Sequence, residues 1–190
     1  LDPSNINNPA STGGYWGRHN NTSDTDAQYT NVNGSYWLGG TDIDASGGDT
    51  LGTASWDITI SGYTGLEFSG LFGAAPGQFE ESTSYGTEHL KIKYQIDGGA
   101  EQELLSFTPV GASSSLYKDG SGTALTMAMA QFSGSINGTG DTLTLIVSGM
   151  ASSAAEALAV DNLQVTGVPE PLTMSLLGVG ALALIRRRRA

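Results

Sequence analysis

Residues 90–96 set the pattern for the chain. Leu90, Ile92, Tyr94 and Ile96 alternate with Lys91, Lys93 and Gln95, and a period of two places the apolar set on one face of a half-buried strand. Asp97-Gly98-Gly99 supplies turn chemistry, so residues 101–108 are expected to return as the second strand of a hairpin. Similar runs over 36–41, 53–60, 66–73, 125–136, 142–147 and 157–166 are separated by Gly, Asn, Ser and Asp, and Asn137-Gly138-Thr139-Gly140 reads as another hairpin loop. No stretch before Pro171 carries an apolar stripe of helical period. The Ala-rich residues 152–159 fit a single helical turn or a loop entering the last strand.

Short strands at even spacing predict an all-β chain, an antiparallel β-sandwich of jelly-roll type, followed by one short C-terminal hydrophobic helix. Residues 1–14 read as an extended polar leader, 15–167 as the sandwich and 168–190 as a tail. Gly167, Pro169 and Pro171 are expected to break the last strand. The chain opens at Leu1 without a charged-then-apolar leader, which fits a trimmed export signal and a fragment equally.

Charge sharpens this division. Of 19 acidic residues all but Glu170 precede Val168, whereas four of the eight basic residues are Arg186, Arg187, Arg188 and Arg189. Residues 1–167 thus hold 18 acids against 4 bases, a formal charge of −14. Such a surface repels phosphate backbones, which argues against nucleic-acid binding, and it suits divalent cations. The chain has no cysteine, which excludes disulfide and thiol chemistry.

Residues 172–185 carry no charge. As a helix they would span about 21 Å at ~1.5 Å per residue, short of a bilayer core of roughly 30 Å. The arginines that follow resist crossing outward, so the bulk of the chain would face outside. Val168-Pro169-Glu170-Pro171, an apolar segment and a terminal arginine cluster together resemble the PEP-CTERM sorting signal of Gram-negative bacteria. The resemblance implies an exported protein, anchored in the inner membrane by the 172–185 helix until an exosortase-type membrane peptidase processes it near the Pro-Glu-Pro motif. It would then reside on the cell surface or in the extracellular, exopolysaccharide-rich matrix.

The outer domain resembles bacterial jelly-roll modules akin to carbohydrate-binding and lectin-like domains. The residues that carry this are Ile60-Ser-Gly-Tyr-Thr-Gly-Leu66-Glu-Phe68-Ser-Gly, Tyr94-Gln-Ile-Asp-Gly-Gly99 and Val160-Asp-Asn-Leu-Gln-Val165. The likeness carries no catalytic residue. His19 and His89 are the only histidines, and there is neither an HExxH zinc motif nor a GxSxG nucleophile elbow. Glu101 with Glu103, and Glu80 with Glu81, are the only carboxylate pairs singled out for glycoside hydrolysis; such pairs also occur routinely on exposed strands and loops.

A calcium ion has a candidate loop. Asp42, Asp44, Ser46 and Asp49 place oxygen ligands along a Gly-containing turn, but Thr53 stands where an EF-hand needs Glu. A jelly-roll calcium site, in which residues of the first and last strands meet, would let Asp161 join them. An ordinary solvated Asp/Ser/Gly turn is the alternative. Aromatic rings stack on sugar faces. Tyr15-Trp16 and Tyr36-Trp37 would each send one ring inward and one outward, and Trp56 shares a face with Ile58 and Ile60 and belongs to the core. Tyr63, Tyr85 and Tyr117 fall in expected loops and are the candidates for ligand contact. The function these features support is a non-enzymatic, exported surface or matrix protein whose domain binds polysaccharide or matrix proteins. A purely structural or adhesive protein is the second reading, and a secreted polysaccharide hydrolase the third.

Overall fold

The alternating run becomes a strand with Leu90, Ile92 and Tyr94 buried and Lys91 and Lys93 turned outward to pair with Glu103 and Glu101. A computed structural model describes residues 6–7, 16–20, 28–43, 52–77, 79–81, 83, 86–153 and 155–170. These form strands β1 (Ile6–Asn7), β2 (Gly17–His19), β3 (Trp37–Thr41), β4 (Gly52–Thr59), β5 (Tyr63–Ala74), β6 (His89–Ile96), β7 (Gln102–Thr108), β8 (Tyr117–Lys118), β9 (Ala130–Ile136), β10 (Thr142–Met150) and β11 (Ala157–Pro169). No helix occurs among the described residues.

The strands make two antiparallel sheets, β1-β4-β10-β6-β7-β8 and β2-β3-β11-β5-β9. The chain changes sheet at every step from β3 to β6 and again from β8 to β11, the alternation expected of a sandwich rather than a meander. Between the sheets lie Phe68, Phe72, Leu90, Ile92, Phe107, Leu143, Leu145, Val147, Leu158 and Val160. Phe72, Phe107 and Phe132 meet with centroids 4.9–6.0 Å apart, where tilted and edge contacts add to the burial of each ring. Trp56 and Ile60 are buried, as their alternation predicts. Trp16 lies over a glycine pair: Gly52 faces Gly149 across β4 and β10. A Cβ at Gly149 would stand 2.5 Å from the Trp16 ring.

A second apolar layer covers the outer face of the five-stranded sheet. Tyr29, Trp37, Met129, Ala157 and Ala159 pack there. Thr30 and the 127–129 backbone exchange hydrogen bonds of 2.9–3.0 Å that hold the two covering segments together. The run expected over 125–136 therefore enters the sheet only at Ala130.

Two turn positions need left-handed backbone. Asp97 and Gly98 have φ of 50° and 69° at the β6–β7 hairpin, the geometry of a two-residue primed turn. The Asp97 carboxylate also accepts the Asp141 and Thr142 amides at 3.0 and 2.8 Å, tying this turn to the start of β10.

β11 does not end at Gly167, where the sequence places its break. Val168 pairs with Thr64 and Pro169 with Tyr63, and the Glu170 amide donates to the Gly62 carbonyl at 2.8 Å. By the two-residue period the nitrogen of Pro169 then points away from β5, toward an edge that β3 leaves open, so its missing N–H costs no ladder bond. Pro171, the expected helix 172–185 and Arg186, Arg187, Arg188 and Arg189 lie outside the described residues.

Candidate functional site

Pairing between β3 and β11 stops at Leu38 opposite Val160, although β11 continues for nine more residues beside β5. The strand also changes course there. Its register against β5 slips between Asp161 and Gln164, and Asn162 has φ of 48°, a left-handed setting that Asn tolerates better than most residues. The bulge and the open edge together leave a cavity of about 470 Å³, within the size range of small-ligand sites.

A network of half-buried and exposed polar groups shapes this groove. The Asp161 carboxylate accepts the Asn33 amide and its neighbour's Asn162 amide, each at 2.6 Å. The Asn162 side-chain oxygen accepts from Asn33 Nδ2 at 3.0 Å and from Gln164 Nε2 at 2.7 Å. These bonds fix the amide groups at the rim. Trp56 and Leu163 contribute apolar lining. At the mouth the Arg18 guanidinium sits 4.6 Å from the ring centroid of Tyr36, a cation–π arrangement, and Tyr36 is 48% exposed. Arg18 is brought here by β2, where it pairs with Leu38. The groove therefore offers one flat aromatic face, a fixed guanidinium and several oriented amides.

The sequence candidates are distributed differently. Tyr63 is exposed but stands at the start of β5 beside Pro169. Tyr117 is half-buried on β8, and Tyr85 lies outside the described residues. Neither Tyr63 nor Tyr117 lines the groove; Tyr36 does. The expected meeting of Asp42 with Asp161 does not occur. Asp42 follows Thr41, which pairs with Ala157, whereas Asp161 lies past Val160 at the opposite end of β3. Five residues at about 3.3 Å each separate the two positions along the strand. The Asp42 amide donates instead to the Ser153 carbonyl at 3.2 Å. Asp44, Ser46 and Asp49 lie outside the described residues, and no group of three potential metal ligands occurs among those described.

Glu101, Glu103 and His89, three of the groups considered for catalysis, are engaged elsewhere. Glu103 and Glu101 pair with Lys91 and Lys93, each at 2.9 Å. His89 is buried, its Nδ1 is 2.8 Å from the Thr87 carbonyl and its Nε2 is 3.3 Å from Ser148 Oγ; burial lowers its pKa, so the ring is held neutral. His19 of β2 stands opposite Trp37 of β3 in the backbone ladder. Sequence reasoning missed Arg18, Asn33, Asn162 and Gln164. The available signals were the isolation of Arg18 as the only base before Lys91 and the Val160–Val165 motif, which builds one wall of the groove.

No protein-family model matches the chain, and no curated protein does. Several solved structures are similar in fold. A Stig cyclase, Fisc from Fischerella sp. TAU, superposes with a TM-score of 0.47 at 10% identity, covering 85% of this chain and 80% of its own. The module TmCBM61, solved in complex with β-1,4-galactotriose, gives a TM-score of 0.44 at 10% identity over 80% of this chain and 88% of its own. The CBM22-1 xylan-binding domain of Xyn10C from Paenibacillus barcinonensis gives 0.40 at 14% identity over 87% and 92%. Scores and identities of this size carry no functional assignment, and the groove's chemistry is read from its own side chains.

Proposed function

We propose that this chain is an exported, non-catalytic domain that binds polysaccharide in the groove between Tyr36, Arg18 and the Asp161–Gln164 bulge. The observation that carries the reading is the exposed Tyr36 ring, backed by Arg18 at 4.6 Å, beside the hydrogen-bonded amides of Asn33, Asn162 and Gln164. A sugar ring presents C–H bonds on its faces and hydroxyls at its edge. An aromatic plane takes the faces, and fixed amides and a guanidinium take the hydroxyls. Pre-set donors lose little entropy on binding, so a small site suffices for a repetitive ligand.

In this reading the tail delivers the domain to its place. The Val168–Pro171 motif, the apolar helix and the arginine cluster hold the chain in the inner membrane until an exosortase-type peptidase acts. The released domain then serves the cell surface or extracellular matrix. A jelly-roll calcium ion at Asp42 and Asp161 is not retained, since the two aspartates stand at opposite ends of β3.

Affinity electrophoresis of the full chain through gels cast with neutral and acidic polysaccharides tests the binding. At least one polysaccharide is expected to retard the wild type, and Tyr36→Ala to lose that retardation while melting within ~2 °C of it. Retardation unchanged by Tyr36→Ala would move the site elsewhere. No retardation by any polysaccharide would favour a structural or adhesive protein.

A further inference from the structure

The chain holds two Asn-Gly pairs, Asn33-Gly34 and Asn137-Gly138. The first stands at the groove, where Asn33 is part of the lining. Its side chain belongs to a directional set of amides: Asn33 Nδ2 and Gln164 Nε2 both donate to Asn162 Oδ1, at 3.0 and 2.7 Å. The Asn33 backbone amide donates to Asp161 Oδ2 at 2.6 Å.

An asparagine followed by glycine can close on itself. The nitrogen of the following residue attacks the side-chain Cγ; a side chain on that residue obstructs the approach, and glycine has none. Gly34 has φ of 87° and nothing within 4 Å of where a Cβ would stand. Its N–H has no acceptor among the described residues. Asn33 and Gly34 are exposed and lie outside the strands. The bond from Asn33 Nδ2 to Asn162 is exposed too, and water competes with a bond of that kind. Asn137-Gly138 is clamped instead. The Tyr94 hydroxyl accepts the Asn137 N–H at 3.1 Å and donates to the Asn137 carbonyl at 3.2 Å, and a Cβ at Gly138 would stand 2.8 Å from Ile96.

We propose that Asn33 is a site of spontaneous modification, converted to aspartate or isoaspartate in the folded domain, and that the conversion breaks up the groove. The Gly34 nitrogen bonds to Asn33 Cγ, the Cγ–Nδ2 bond breaks, and ammonia leaves with the former Gly34 amide proton. Water then opens the cyclic imide at either carbonyl. The product carries a carboxylate where a donor stood. That carboxylate meets Asn162 Oδ1 and the Asp161 carboxylate, so acceptor faces acceptor and like charges meet. Asn162 cannot turn its amide to compensate without losing the bond from Gln164. This inference rests on the groove being the polysaccharide site. Its consequence there is that binding declines with the age of the protein.

The test holds the full chain for weeks at pH 6 and at pH 8.5, with sampling by peptide mapping. Asn33 is expected to convert in the folded protein, ahead of Asn137 and faster at pH 8.5, where base removes the Gly34 amide proton. Aged wild type and Asn33→Asp are both expected to show shifted side-chain amide NMR signals for Asn162 and Gln164. Both are also expected to be retarded several-fold less by whichever polysaccharide retards the fresh chain, each measured against a polysaccharide-free gel. Asn33 that stays intact in folded protein while a urea-unfolded sample converts it overturns the proposal, as does conversion of Asn137 ahead of Asn33. Unmoved Asn162 and Gln164 signals, or full retardation of Asn33→Asp, likewise overturn it. If no polysaccharide retards the fresh chain, the binding reading fails, while the peptide map and the NMR signals still decide the modification site and its effect on the groove.

Discussion

Replacing Glu156 with Gln should change how stability depends on pH, and the sign follows from the burial of the acid pair. Burial and the adjacent Glu88 push the Glu156 carboxyl up from 4.5 to about 8. Folded protein then keeps a proton that unfolded protein releases above its ordinary carboxylate range. The stabilisation is complete below pH 4.5, shrinks as pH rises and is gone once pH passes the folded value near 8. Each unit of pH within that window is worth about 1.4 kcal/mol for one proton. From pH 5.5 to 8 the wild type should lose roughly 3 kcal/mol, which for a chain of this size is a fall in Tm of about 6–12 °C. Gln does not titrate, and its amide can still donate to Glu88. Melting both proteins at half-unit steps from pH 5 to 9 isolates the effect, because all other groups are common to both. The wild type should decline relative to Glu156→Gln across this range. Parallel curves would mean that Glu156 holds no extra proton in the folded state.

Other substitutions probe the packing and the turn. Gly149→Ala would drive a Cβ to 2.5 Å from Trp16 and 2.9 Å from Leu158. Overpacking of this kind costs ~1–3 kcal/mol, read as a lower midpoint in denaturant. Phe107→Ala removes a fully buried ring that contacts Phe72 and Phe132 and should cost about 3–5 kcal/mol by the same assay. Asp97→Ala loses two amide contacts at the β6–β7 turn and places Ala at positive φ, so a loss of about 1–2 kcal/mol is expected in chemical denaturation.

The parts of this fold legible in the sequence are those fixed by local alternation. Lys91 and Lys93 against Leu90, Ile92 and Tyr94 mark β6 because one face of that strand is wet and the other is core. Trp56 was assignable to the core on the same ground. Leu125 to Met129 was not separable from β9, since a segment that crosses an outer sheet face under Tyr29 also buries alternate residues. The end of β11 was misplaced because Pro169 reads as a strand breaker unless its nitrogen is known to face an open edge. The groove depends on a register slip and on an Asn33-to-Asp161 bond that spans 128 residues. No window along the chain contains either. The same holds for Glu88 and Glu156, which look like ordinary solvated acids until the loops around Ser152 and Glu80 close over them.

In the proposed function a sugar chain occupies the Tyr36 groove. Backbone amide shifts of the isotopically labelled full chain, followed by NMR as an oligosaccharide of the retarding polysaccharide is added, test it most directly. Saturable changes are expected to cluster at Arg18, Asn33, Tyr36 and Asn162 to Gln164, with the strand positions around Tyr117 unmoved. Saturable changes centred on Tyr63 or Tyr117, with the groove residues silent, would contradict it.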